Sequence, residues 1–370
     1  MAPLFIYGTL CHLPLLHMVL GRDPAIRPAC LPDHAVHWAE GGNFPMIKAA
    51  RGAVARGVLI EDLDAEDRAR LDFYEGPYGY ETTLRNVMTG EGEEIEALVY
   101  FPHPGLWQPA ASWSLQDWVR DWGAIVVATA GDMMAHYPVP VPDYRRRPML
   151  VRGASRVLAA RSPAPTRIRR RCEPGDIRIT ARREPYARFF AVEEYDLSWR
   201  EFDGGFSREA TRAIFLSGDA VTVLPYDPVR DRVLLVEQFR MGPFGRGDPQ
   251  PWLLEPIAGR IDPGETPEEA ARREAMEEAG LVLSDLIPIR NYYPSPGAKA
   301  EYHHSFLAVT DLPDDAAIVG GEDSEIEDIK GHLLSFEVMM ELLGSGELNN
   351  APMLISALWL ERERSRLRNR

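Results

Sequence analysis

The chain has 370 residues, 45% of them apolar, which is length and apolar content for two or three domains with cores of their own. A net charge of −15 argues against general nucleic-acid binding, and three cysteines without metal-ligand spacing (Cys11, Cys30, Cys172) argue against a disulfide framework and fit a reducing cytosol. No run approaches 18 apolar residues and the start lacks a basic n-region, so the expectation is a cytoplasmic protein with neither membrane nor nucleic-acid partners.

"PLFIYG" opens the chain as a strand, and "LCHLPLLHMVLGR" follows as a helix. "AVARGVLIED" and "EEIEALVYFP" read as further strands around a short helix, "DAEDRARLDFYEG". "SLQDWVRDWGAIVVATAGDMMAHY" has helical apolar spacing and closes a first unit, residues 1–137. "PVPVPDYRRRP" and "RSPAPTRIRRR" are rich in proline and arginine, so residues 138–173 read as a linker. From residue 174 the pattern turns β-rich, with "DIRITARR", "RFFAVEEYDLSW" and "AVTVLPYDPVRDRVLLVEQFR", in which "YDPVRD" marks a hairpin. An acidic helix, a segment "YYPSPGAKAEYHHSFLAV" and an amphipathic helix "NNAPMLISALWLERERSR" complete this unit, 174–370.

The first unit pairs "FIYGTL" with a downstream "LDFYEG". In this it resembles the γ-glutamylcyclotransferase-like (AIG2-like) family. The resemblance implies a small β-barrel that binds a γ-glutamyl group against the backbone of Tyr7, Gly8, Thr9 and Leu10. Glu75 would then shuttle protons as the substrate amine closes onto its own γ-carbonyl. That chemistry needs a carboxyl shielded from water, with its pKa raised toward neutrality. Cys11 and Thr82 depart from the family pattern, which usually has basic residues there.

The run from Gly259 to Leu281, which contains the acidic helix, carries seven acids. Thr266 as N-cap, Pro267 at the first position and Glu269 three residues on form a helix start, and Gly280 a natural stop. Ala270, Ala271, Ala275 and Ala279 give one smooth side. Glu274 and Glu278 lie one turn apart with Glu277 beside them, and Arg273 is placed to pair with Glu277. Carboxylates on one ridge suit Mg²⁺, or Mn²⁺ as the alternative, because such ions take hard oxygen ligands and approach phosphates.

Gly259, Glu265, Arg273, Glu274, Ala275, Glu277, Glu278, Gly280 and Leu281 match the Nudix box, which this run resembles. The resemblance implies an α/β/α sandwich and a metal site made by Glu274, Glu278 and the Ala258 carbonyl, with Glu277 in the catalytic group. A Glu265–Arg273 salt bridge would brace the motif. Pro296, 16 residues past Gly280, together with "LLVEQFR", "SEIEDIKGH" and "NNAPMLISALWL", is similar to the bacterial ADP-ribose pyrophosphatase subfamily over most of residues 175–362. That subfamily implies Glu325 as the catalytic base and Glu327 as a further metal-linked acid. Arg212 and Arg240 would hold phosphates and the adenine end, Ser295 and Glu301 the ribose side, and Phe189 or Phe190 would stack on adenine. A homodimer formed by exchanging residues 175–205 is also implied. "GAKAE" stands where "GGxxE" is usual, so one loop glycine is missing. His303 and His304 face opposite ways on a strand and are read as no metal ligands.

The expected fold class is therefore α/β (α+β), a Nudix sandwich preceded by an AIG2-like β-barrel with helices. The expected reaction is ADP-ribose hydrolysis to AMP and ribose 5-phosphate. Another nucleoside diphosphate sugar, γ-glutamylamine cyclotransfer as the main activity, and ADP-ribose sensing without turnover are the alternatives.

Overall fold

The structure is a computed structural model that describes residues 2–162, 164–316, 319–320 and 328–369. It divides into two units: residues 1–170 with 187–189, and residues 171–186 with 190–370.

The first unit contains β1 (Leu4–Ile6), α1 (Leu13–Leu20), β2 (Ile26–Ala39), β3 (Pro45–Ile60), α2 (Ala65–Glu75), β4 (Tyr80–Thr89), β5 (Glu94–Pro102) and β6 (Pro109–Ser112). A helical run follows, made of α3 (Leu115–Trp118), a π turn (Val119–Gly123) and α4 (Ala124–Met134). Then comes α5 (Arg146–Arg161). The strands run β3-β1-β5-β4-β2, and β2 pairs back onto β3, so five strands close into a barrel, with β6 on the outside of β2. β1 pairs parallel with β5 and antiparallel with β3. Period-two alternation along β1 separates two cores. Phe5 and Tyr7 fill the barrel with Leu31, Leu59 and Val99, while Leu4 and Ile6 pack outward against α1 and α4 residues such as Leu16 and Met133.

Residues 138–170, expected as part of a joining segment, instead contain α5 and belong to the first unit. The arginines that gave this stretch the look of a solvated linker have partners in α4: Arg152 and Arg156 bond Asp132 at 2.7 and 3.0 Å, with Arg152 and Asp132 both buried. Gly153 lets the two helices approach, since a Cβ there would meet Thr129 Oγ1 at 2.6 Å.

The second unit has a three-stranded sheet, β7 (Ile177–Ala187), β8 (Ala191–Trp199) and β9 (Ala210–Leu216). The main sheet is built from β10 (Ala220–Asp227), β11 (Arg232–Phe239), β12 (Trp252–Glu255), β13 (Ile257–Arg260), β14 (Asp285–Pro288), β15 (His303–Val309), β16 (Val319–Gly320) and β17 (Ile329–Ser335). Its order is β14-β15-β10-β11-β17-β16, with β13 on β10 and β12 on β11. The helices are α6 (Met241–Arg246), α7 (Pro267–Ala279), α8 (Phe336–Ser345) and α9 (Ala351–Arg368). Every residue of β10 is buried, as befits a central strand covered on both faces. Leu224 and Tyr226 of β10 join the core with Phe336, Met353 and Leu360 of α8 and α9. The alanine side of α7, fully buried at Ala270, Ala271 and Ala275, packs on β10 and β13. The expected sandwich and barrel are both present.

Candidate active sites

α7 begins at a reciprocal capping box, in which Thr266 Oγ1 accepts from the Glu269 N–H and the Glu269 carboxylate from the Thr266 N–H. It ends at Gly280, whose φ of 62° is left-handed. Between these stops the acids converge on Arg273. Its guanidinium donates to Glu265 at 2.8 and 3.0 Å, to Glu274 at 2.7 Å, to Glu277 at 2.9 Å and to the Arg260 carbonyl at 2.9 Å. Its hydrogen bonds to Glu265, then the charge of Glu274, push the Arg273 pKa further up. The expected Glu265–Arg273 brace is formed, and one cation offsets the repulsion of three acids.

Glu278 turns the other way. It is 2% exposed, and its carboxylate accepts from the Ala258 N–H at 3.1 Å and the Gln238 amide at 3.4 Å. Gly259 of β13 faces Glu274, and an added Cβ there would sit 1.9 Å from the Glu274 carboxylate. The glycine is thus required by close approach, and it forms a cradle that only a carboxylate now fills. Among the described residues no three His, Cys, Asp or Glu side chains form a ready metal cluster, Glu277 being drawn to Arg273. Two carboxylates one turn apart beside a strand backbone do fit the donor chemistry of Mg²⁺. Glu325 and Glu327 lie outside the described residues. Gly320 of β16 packs against the box helix, where an added Cβ would meet the Glu278 carbonyl at 2.5 Å.

The expected substrate residues fall in two groups. The Phe190 ring lies tilted against Phe215, centroids 4.8 Å apart, with Arg260 over it at 5.4 Å. Phe215 bonds the segment carrying Glu301, through Ala298 and Ala300. Glu301 is held by Lys299 at 2.9 Å and His303 at 3.2 Å, and the Ser295 carbonyl accepts from Ala298 and Lys299. Arg240 and Arg212 are engaged elsewhere, the first by Glu255 at 2.6 Å and the second over Trp199 at 5.5 Å. Phe189 is half exposed. His304 bonds Asn291 at 3.2 Å. The sequence reading missed Arg260 and Gln238; Arg260 was within reach, since it directly follows the box glycine.

In the first unit Tyr7, Gly8, Thr9 and Leu10 line one pocket with Glu75, about 260 Å³ in volume. Gly8 admits Pro45, which a Cβ would meet at 2.6 Å. Tyrosines set the walls: Tyr7 donates to the Tyr100 carbonyl at 2.8 Å, Tyr100 to Asp72 at 2.6 Å, and Tyr80 to the Pro45 carbonyl at 2.7 Å. Burial among these rings, and then the charge of Asp72, push the Glu75 carboxyl up to about 7. Burial also pushes the Cys11 thiol up to about 12, and it donates to the Ile6 carbonyl. Thr82 pairs with Tyr100 across β4 and β5. The arginines that do line the pocket, Arg146 and Arg147, come from α5 and were not anticipated.

The chain belongs to the Nudix family: its second unit carries the NUDIX domain at residues 216–355, and its first the gamma-glutamyl cyclotransferase, AIG2-like, domain at residues 4–120. It is a Nudix hydrolase with pyrophosphatase relatives. The ADP-ribose pyrophosphatase of Escherichia coli K12 is 39% identical over 194 residues, 52% of this chain and 92% of that protein. The Haemophilus influenzae ADP-ribose pyrophosphatase is 36% identical over 188 residues, 50% of this chain and 86% of the relative. A GDP-mannose pyrophosphatase of Salmonella paratyphi A is 34% identical over 151 residues, 40% and 77% of the two chains. A crystal structure described as an ADP compounds hydrolase aligns over 51% of this chain and 96% of its own, at 23% identity and a TM-score of 0.38. No helix among the described residues is long and apolar enough to cross a membrane.

Proposed function

We propose that the Nudix unit hydrolyses the pyrophosphate bond of ADP-ribose, giving AMP and ribose 5-phosphate, with Mg²⁺ or alternatively Mn²⁺. The observation that carries this is the pair Glu274 and Glu278, one turn apart, the first against Gly259 and braced by Arg273, the second held by the Ala258 N–H. Glu274, Glu278 and the Ala258 carbonyl would hold the metal, with Glu327 as a further acid. Bound there, a divalent ion supplies charge neutralisation at the pyrophosphate and acidifies water. Glu277 adds negative charge to the same ridge, and Glu325 is the proposed base that takes a proton from the attacking water. Phe190, whose ring has the Arg260 guanidinium over it, is assigned the adenine. Glu301 and Ser295 are assigned the ribose side, and Arg240 and Arg212 the phosphates after exchanging their present partners. A homodimer through residues 175–205 is part of this reading, supported by Ile177 and Ile179, each more than half exposed on β7.

The relatives named ADP-ribose pyrophosphatase support the substrate, and the one named for GDP-mannose supplies the competitor. Purified protein with Mg²⁺ is expected to release AMP from ADP-ribose with a higher kcat/KM than it releases GMP from GDP-mannose. Glu278→Gln, which keeps shape and removes one charge, is expected to lower the rate at least 100-fold without unfolding the unit. A preference for GDP-mannose would overturn the substrate, and full activity of the variant would overturn the metal assignment.

A second reading applies to the first unit, on the observation that Glu75 shares a pocket with Tyr7–Leu10. There a γ-glutamylamine would lose its amine as its α-nitrogen attacks its own γ-carbonyl. Glu75 would carry the proton from the attacking to the departing nitrogen, leaving 5-oxoproline.

A further inference from the structure

The pocket of the first unit is only partly built from the residues that match the AIG2-like family. That match ends at residue 120, yet α4, α5 and the turn between them line the same cavity as Glu75 with Val126, Ala130, Met133, Val141, Met149 and Leu150. Four of these are almost wholly buried: Ala130, Met133, Val141 and Met149. The polar groups that this added wall contributes are largely spent. Thr129 Oγ1 donates to the Ile125 carbonyl at 2.8 Å, and Arg146 is divided between the Pro77 carbonyl and Asp143. Arg147, the remaining one, is exposed.

We infer that α4 and α5 turn this pocket into a two-part site for γ-glutamylamines whose amine side carries an extended apolar group. The inference rests on the γ-glutamyl reading of Tyr7–Leu10 and Glu75. Orientation follows from the cost of burying charge. A γ-glutamyl head carries an α-ammonium and an α-carboxylate, and setting either against Met133 and Met149 would strip its water without a partner. The head therefore belongs at the Glu75 end, beside backbone donors, and the apolar wall receives the part of the substrate beyond the scissile amide. A short or charged amine would leave that wall unfilled or would desolvate a charge against it. Substrate choice then resides in a segment outside the family match.

The test uses full-length protein and two probes, γ-glutamyl-ethylamide and γ-glutamyl-n-hexylamide, with binding measured by calorimetry or kcat/KM by 5-oxoproline release. Each buried methylene is worth about fourfold in affinity, so the hexyl compound is expected to gain at least tenfold. Val126→Phe, which fills a half-buried part of the wall, is expected to erase that gain while the ethyl compound still binds. The chain-length series on the unaltered protein decides the matter even if this variant fails to fold. Affinities for the two probes within twofold of each other would overturn the apolar site and leave the γ-glutamyl reading standing. Absence of binding by either probe would overturn the γ-glutamyl reading, and this inference with it.

Discussion

Arg273 and Glu75 show how far neighbours decide what an ionisable side chain does. Arg273 gathers Glu265, Glu274 and Glu277, so acids that would repel one another are held together by one cation. Glu75 has no such cation, and burial raises its carboxyl from the usual 4.5 to about 7. The folded protein therefore holds the Glu75 proton at pH values where the unfolded chain has released it. Stability from this residue is greatest below pH 4.5, declines as pH rises toward 7 and is level above. Glu75→Gln removes the titration. Above pH 7 the variant is expected to be more stable than the parent by on the order of 2 kcal/mol, with the two converging near pH 4. Thermal melts of both proteins from pH 4 to 8 check this, and parallel profiles would show that Glu75 ionises at its ordinary value.

At the scale of elements, the β10–β11 hairpin is tied to the final helix by one residue. Asp231 has a left-handed φ of 56°, and its carboxylate accepts from Tyr226 at 2.7 Å, Arg364 Nε at 3.0 Å and Arg368 at 2.7 Å. The hydrogen bond from Arg364 holds the Asp231 carboxyl below the usual carboxylate range. Its contribution is complete above about pH 4 and fades as pH falls through the lowered value. Asn also tolerates this backbone, so Asp231→Asn isolates the charge. The variant is expected to lose about 1–3 kcal/mol at pH 7 and less as pH falls below 4, read from urea melts that follow the α9 contacts. Equal losses across this range would assign the effect to packing. The same scale explains what could be read in advance. α7 was legible because cap, proline, alanine side and stop all fall within fifteen residues or so. β2 was not, because Pro28 and Pro32 interrupt its alternation and its long pairing with β3 is a tertiary fact. α5 was misread as linker because Arg152 and Arg156 show their meaning only once Asp132 lies beside them.

At the scale of the whole molecule, each candidate site is assembled inside one unit. Among the described residues, the pocket around Glu75 is lined by residues of the first, and the Arg273 cluster draws on the second. Glu75→Gln is accordingly expected to leave nucleotide hydrolysis within twofold of the parent, and Glu278→Gln to leave γ-glutamylamine binding unchanged. A reduction of either activity by the other unit's variant would reveal coupling between the two. The fold of both units and the Nudix carboxylates were legible as motifs. The pocket's far wall was not, because it is contributed by helices that carry no motif.

The closed barrel also sets an order in time. β1 occupies residues 4–6 but pairs with residues 58–60 and, in parallel, with 98–99, so it leaves the ribosome before both of its neighbours and waits for them. At about 5–20 residues per second, roughly 5–20 s separate the synthesis of β1 from that of its β5 partner. Until then Tyr7–Leu10 hangs from an unpaired apolar strand, with the exposure to misassociation that distant pairings impose. Nascent chains stalled before β5 has emerged are expected to be cut by protease near the amino end, and chains stalled well beyond it to be protected there. Early protection would mean that β1 and β3 hold together without the parallel partner.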